Sequence, residues 1–258
     1  EGRRLFLYPL VWSPGGTRWK YPDDLIDTAI AEPLEMDLGV RPMAIPVHRI
    51  FAEERKFELP LTHLAAVRVT HWMHVLRANQ IALIAWGARL YTLTPYKLAW
   101  AALRAMSINH HLVMQKLVTR GRGCEIHPSA VVEASTLGDN VKIGANAVVR
   151  FSHLGDGVSV SDQCNIQYSV LGEGATVARM GMLQSCVLLP GANSGHYGLQ
   201  LCVVGRDTFV GGECILGDFK PGSTIKVMHD GKLVDTGTNT LGCAVGHDCA
   251  IMMRATFY

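Results

Sequence analysis

A mainly β fold, a parallel solenoid preceded by a helical and irregular N-terminal region, is what this 258-residue sequence predicts. The first observation is a repeat of 17 residues. It runs LGDNVKIGANAVVRFSH from Leu137, LGDGVSVSDQCNIQYSV from Leu154 and LGEGATVARMGMLQSCV from Leu171, then loosens to LLPGANSGHYGLQLCVV from Leu188. The second is a run of apolar anchors at steps of six, six and five: Ile126, Val132, Leu137, Ile143, Val149, Leu154, Val160, Ile166, Leu171, Val177 and Leu183. The third is a small residue after many anchors, as at Gly138, Gly144, Gly155 and Gly172. Each hexad supplies a short strand and a turn, so three make a triangular coil, and stacked coils share a core that none could bury alone.

The elements follow in chain order. Residues 1–70 form a Pro-rich irregular segment (Pro9, Pro14, Pro22, Pro33, Pro42, Pro46, Pro60) with no sustained period, expected to wrap a surface or a partner subunit. Residues 71–120 hold two helices. Trp72, Val75, Leu76, Leu83, Trp86 and Leu90 recur at helical spacing, and a second series (Leu98, Ala101, Ala102, Ala105, Ile108, Leu112) follows Thr94-Pro95. Arg77, Arg89, Lys97 and Arg104 interrupt both runs, so neither has the roughly 20 apolar residues of a transmembrane helix. Capping the exposed first coil of the solenoid is the expected role of the pair, and a membrane-surface anchor is the alternative that its Trp, Tyr and Arg content allows. Residues 121–258 form the solenoid. Within it, Phe219-Lys220-Pro221-Gly222-Ser223 interrupts the coils, and Ile225 to Val234 around Asp230-Gly231 predicts a projecting hairpin, an insertion near 219–240.

In these residues the chain resembles the hexapeptide-repeat acyltransferases. Ile126-His127-Pro128-Ser129-Ala130-Val131-Val132 looks like the opening coil of that superfamily, and Val245 to Ala250 like another of its hexads. The resemblance covers Cys124 to Tyr258 and implies a left-handed parallel β-helix, assembly as a homotrimer, and acyl transfer from coenzyme A or an acyl carrier protein to an amine or hydroxyl of a small-molecule acceptor, such as a sugar or natural-product intermediate. No tightly bound cofactor is implied. Trp12-Ser13-Pro14-Gly15-Gly16-Thr17-Arg18 also resembles the Gly-rich loop of sugar nucleotidyltransferases, which are often fused to β-helices. One glycine of that loop is missing, and about 120 residues is too short for the domain that surrounds it.

The repeat then serves as a ruler. Its ninth position is occupied by Ala145, Asp162, Arg179 and His196, and neighbouring coils stacked about 4.8 Å apart would put these side chains in one column. His196 lies in Asn193-Ser194-Gly195-His196-Tyr197-Gly198, where the anchors lapse and a loop leaves the wall. A neutral imidazole can take the proton of an attacking amine or hydroxyl while backbone N–H groups hold the tetrahedral oxyanion. Hexapeptide acyltransferases use one histidine in this way at a subunit interface, so the resemblance makes His196 the first candidate base and His153 the second, with Asp162 or Arg179 orienting base or substrate. Asn165, Gln184 and Tyr197 are candidate substrate contacts. Asp139, Asp156 and Glu173 share another column and are expected to accept turn N–H bonds.

Two other classes stay open. One branch of the fold resembles the γ-class carbonic anhydrases, with interface histidines around a divalent metal, but no pair of histidines here has the close spacing of that branch, and no residue is assigned to a metal. The other is a non-catalytic binding or assembly module. Composition excludes more. A net charge of +2 and a pI near 8.2, with scattered Lys and Arg, give no nucleic-acid-binding stripe. Seven cysteines with no CxxC pair read as reduced thiols of a cytoplasmic protein. No secretory signal is recognisable, and Glu1 and Tyr258 read as the ends of a piece of a longer chain.

Overall fold

A computed structural model describes residues 41–46, 56–61, 69–92, 95–195 and 197–257. The chain divides into two compact units, Glu1–Arg68 and Val69–Tyr258. In the first, strands Arg41–Pro46 and Lys56–Leu61 pair antiparallel with Ala44 opposite Glu58. Trp12 to Arg18 and most of the Pro-rich segment lie outside the described residues.

The second unit is a parallel β-solenoid with three faces. Face 1 stacks seven strands from Thr119–Arg120 to Ala244–Val245, face 2 seven from Glu125–Ile126 to Ala250–Ile251, and face 3 five from Val131–Glu133 to Tyr197–Gln200. The ruler holds through the early coils, with Leu137 opposite Leu154, Ile143 opposite Val160 and Val149 opposite Ile166. Every anchor from Val132 to Leu183 is buried in one continuous core, with Ile126 packed at its margin. Strands of two or three residues suffice because each side chain that points inward stacks on its counterpart in the next coil.

The turns between faces require a left-handed residue at each corner. From face 1 to face 2 that residue is Asn140, Gly157, Gly174, Gly191 and Asp207, all with φ between 50° and 71°. These types tolerate the region well. The other two corners place Asn146, Gln163 and Met180, and Ala134, Phe151 and Tyr168, in the same region. Asp139 and Asp156 meet the sequence expectation: Asp139 Oδ1 accepts the Arg122 N–H at 2.7 Å and Asp156 Oδ1 the Asp139 N–H at 2.7 Å. Between faces 3 and 1 a buried serine column does similar work. Ser135, Ser152 and Ser169 each donate to the carbonyl two residues before, and each accepts the N–H of the residue one coil on.

Among the described residues three helices precede the coils: α1 (Trp72–Thr92), α2 (Pro95–Ala105) and α3 (His110–Gln115). The helix that covers the first coil is α3. Its Val113 and Met114 pack with Ala101 of α2 and Ala134, and Met114 accepts the Ala134 N–H. Helix α1 lies instead along face 1, where Leu76, fully buried, packs on Val187, Val203 and Leu241. Strands Lys226–His229 and Lys232–Asp235 form the hairpin, with Asp230 and Gly231 both at positive φ. Such a pair makes the primed turn that matches strand twist. His71 Nε2 donates to Met228 O at 3.1 Å, tying the hairpin to the start of α1. No helix among the described residues is long and apolar enough to cross a membrane.

Beyond the hairpin the coils resume with a pairing offset of 41 residues. The rejoining is tight at Gly205, where an added Cβ would stand 2.1 Å from Gly246 O. Gly205→Ala is therefore expected to destabilise the protein by about 1–3 kcal/mol, because the colliding atom is backbone and cannot rotate away. A melting curve checks it, and an unchanged Tm contradicts it.

Candidate active site

Among the described residues the candidates fall on faces 1 and 3 of the solenoid and on the corner between faces 2 and 3. His153 starts strand His153–Leu154 on face 1, with its side chain exposed. Its Nδ1 is hydrogen-bonded to Thr136 Oγ1, the residue directly opposite one coil earlier. Farther along the same face Val170 is half-buried, and Val187 and Val203 are roofed by α1. His153 thus stands on the open part of a wall whose continuation is covered. A hydroxyl on one ring nitrogen fixes the ring while the other nitrogen remains for proton transfer.

Asp162 and Arg179 occupy the corner between faces 2 and 3. Asp162 Oδ1 accepts the Ala145 N–H at 2.8 Å, and its Oδ2 lies 3.6 Å from Arg179 Nη2. The column of Ala145, Asp162 and Arg179 therefore exists, as a turn support carrying an exposed ion pair. A shallow groove of about 430 Å³ beside it is lined by Glu125, His127, Lys142 and Asp162 among others. His127 Nδ1 is taken up locally, by Ser129 N–H at 3.2 Å and Ser129 Oγ at 2.8 Å.

His196, the first sequence candidate, lies outside the described residues. The ruler changes around it. Ser194 pairs with Val177 at the old offset, whereas Tyr197 pairs with Gly181, so the coil is one residue shorter there. Extending the column from Arg179 to position 196 by counting 17 is thus unsupported by the pairing on its far side. Tyr197 is exposed, with φ of 80°, at the start of its strand on face 3. Asn165 and Gln184 lie on face 3 too, where Asn165 Oδ1 accepts from Gln167 Nε2 at 2.9 Å and Gln184 pairs with Gln167 and Gln200. Asn165, Gln184 and Tyr197 share a face, and Asp162 and Arg179 share its edge; His153 stands on another face.

One polar cluster escaped the sequence reading. Glu133, only 2% exposed, accepts from Arg150 Nε at 3.0 Å and sits 3.2 Å from His111 Nδ1. Glu133 and Arg150 are opposite in adjacent strands. Their opposite charges, 17 residues apart, were a readable signal; His111, held over them by α3, was not. Burial pushes the Cys164 and Cys243 thiols up, and hydrogen bonding to Cys186 together with burial pushes Cys202 up, all away from the thiolate a nucleophile needs. Among the described residues no three His, Cys, Asp or Glu side chains are grouped to hold a metal.

Residues 103–194 match the family model described as the GMPPB C-terminal domain. Among solved structures, the chain is similar to a variant of perosamine N-acetyltransferase from Caulobacter crescentus in complex with CoA and GDP-perosamine, at 20% identity and a TM-score of 0.30, over 45% of this chain and 57% of that one. A second variant of that GDP-perosamine N-acetyltransferase with the same ligands is similar at 18% identity and a TM-score of 0.21, over 53% of this chain and 74% of the other. The chain thus spans little more than half the length of the first of these. Curated proteins gave no match.

Proposed function

We propose, on the premise that this is a hexapeptide-repeat solenoid of the acyltransferase and sugar-nucleotidyltransferase kind, that the chain transfers an acyl group from acyl-CoA or an acyl carrier protein to an amine or hydroxyl of a small acceptor. The observation that carries the reading is His153, exposed on the open part of face 1 and held at Nδ1 by Thr136. Its Nε2 takes a proton as the acceptor attacks the thioester carbonyl. Collapse of the tetrahedral adduct breaks the carbon–sulfur bond, and the departing thiolate receives the proton. The N–H groups that stabilise the oxyanion belong to the backbone.

His196 remains a second candidate for the base. Asp162 and Arg179, with Asn165, Gln184 and Tyr197, serve the substrate from face 3 and its edge. These residues and His153 act together if the proposed homotrimer sets that edge of one subunit against face 1 of the next. A nucleotide-linked amino sugar, the class held by the two acetyltransferase structures, is the acceptor to test first.

The test is a melting-temperature screen with acetyl-CoA, longer acyl-CoAs and nucleotide sugars, followed by release of free CoA thiol when donor and acceptor are combined. A ligand bound only to the native state adds about 2.7 kcal/mol of stability at a hundredfold excess over Kd, and Tm rises accordingly. A rise with an acyl-CoA and thiol release with one acceptor are expected. Neither response across the panel would sink the assignment in favour of a non-catalytic module.

A further inference from the structure

Helix α2 is apolar on both sides. Leu98, Ala101, Ala102 and Ala105 face inward, packed with Trp86, Val113 and Ala134. The opposite side carries Tyr96, Trp100 and Leu103 at 67%, 61% and 66% exposure, and the turn beyond adds Met106 at 93% and Ile108 at 97%. At helical spacing Tyr96, Trp100 and Leu103 form one sector, and Lys97 and Arg104, both exposed, border it. Apolar side chains exposed contiguously to this degree mark a contact surface.

Charge identifies the occupant. From Val69 to Cys124 the sequence contains seven Lys or Arg and no Asp or Glu, whereas the rest of the chain has 17 against 22. A chain of nearly balanced net charge has thus collected cations, without a single carboxylate, in the segment that bears the exposed Trp and Tyr. Aromatic rings beside Lys and Arg on the outer face of a short helix suit the boundary between lipid headgroups and acyl chains. With 11 residues α2 is far short of the roughly 20 that span a bilayer, so its contact is interfacial.

We propose that the outer face of α2 and the following turn dock on an anionic lipid surface, with Tyr96, Trp100, Leu103, Met106 and Ile108 entering the interface and Lys97 and Arg104 meeting the headgroups.

Flotation of the full chain with vesicles tests this, using phosphatidylcholine alone and phosphatidylcholine mixed in equal parts with phosphatidylserine. Binding to the mixed vesicles is expected, with little to the neutral ones. Each of Lys97→Gln and Arg104→Gln should weaken it about fivefold, and Trp100→Ser/Ile108→Ser at least tenfold, with Tm unchanged because these side chains are exposed. Binding should also weaken as salt rises from about 0.1 M to 1 M, where screening is nearly complete within about 3 Å. Absence of binding to the mixed vesicles overturns the proposal. So does self-association that Trp100→Ser/Ile108→Ser abolishes, which would assign the face to a second copy, or a Tm fall in that variant without vesicle binding, which would mean the chain covers this face itself.

Discussion

His153→Gln is expected to lower the acyl-transfer rate by about 10²–10⁴-fold, the range a positioned general base contributes. Glutamine keeps a polar side chain of similar reach beside Thr136 but cannot accept and release a proton near neutral pH. Because His153 is exposed and bonded to one hydroxyl, the fold does not depend on it, and the melting temperature should stay where it is. Thr136→Val gives the companion result: without the hydroxyl that fixes the ring, the rate should fall by less than in His153→Gln, with KM nearly constant. Full activity in His153→Gln together with a loss in His196→Gln would move the base to the shortened coil. Full activity in both would remove both candidate histidines from the role of base.

Arg150→Met is expected to destabilise the fold by about 3 kcal/mol, since removing one member of a buried ion pair leaves the other without compensation. Glu133 is 2% exposed while Arg150 is partly open, so the carboxylate bears the cost. Replacing both as Glu133→Leu/Arg150→Met should recover most of that loss, because two apolar side chains of similar volume leave no charge stranded. Chemical denaturation of the two variants decides the matter. If the single variant melts with the parent, Glu133 finds enough support from His111 and the guanidinium contributes little.

The solenoid was legible because a stack repeats its burial. Val149, Ile166 and Leu183 are three readings of one inward position, and in the sequence each confirms the others. The corners were half legible. Asn140, Gly157 and Gly174 announce a left-handed turn by their type, but Phe151, Tyr168 and Met180 do not, because there the stacked coils impose a conformation that the side chain itself disfavours. Helix α1 was legible as a helix and not in its place. Nothing local to Leu76 says that it will bury itself on Val187 and Val203, more than a hundred residues later. The site shows the same division. Asp162 beneath Arg179 followed from counting 17, and so would Thr136 beneath His153, but counting fails where the coil loses a residue between Ser194 and Tyr197.

The excursion between Leu216 and Ala244 leaves the stack and returns to it without changing the phase of any face: Val203, Phe209 and Ile215 meet Ala244, Ala250 and Thr256 at one common offset. Its two ends are tied to each other, with the Leu241 N–H donating to Asp218 O at 2.9 Å and the Lys220 N–H to Asn239 O at 2.8 Å. This antiparallel neck makes the position a socket, where the tip beyond it can be exchanged while the wall on either side closes as before.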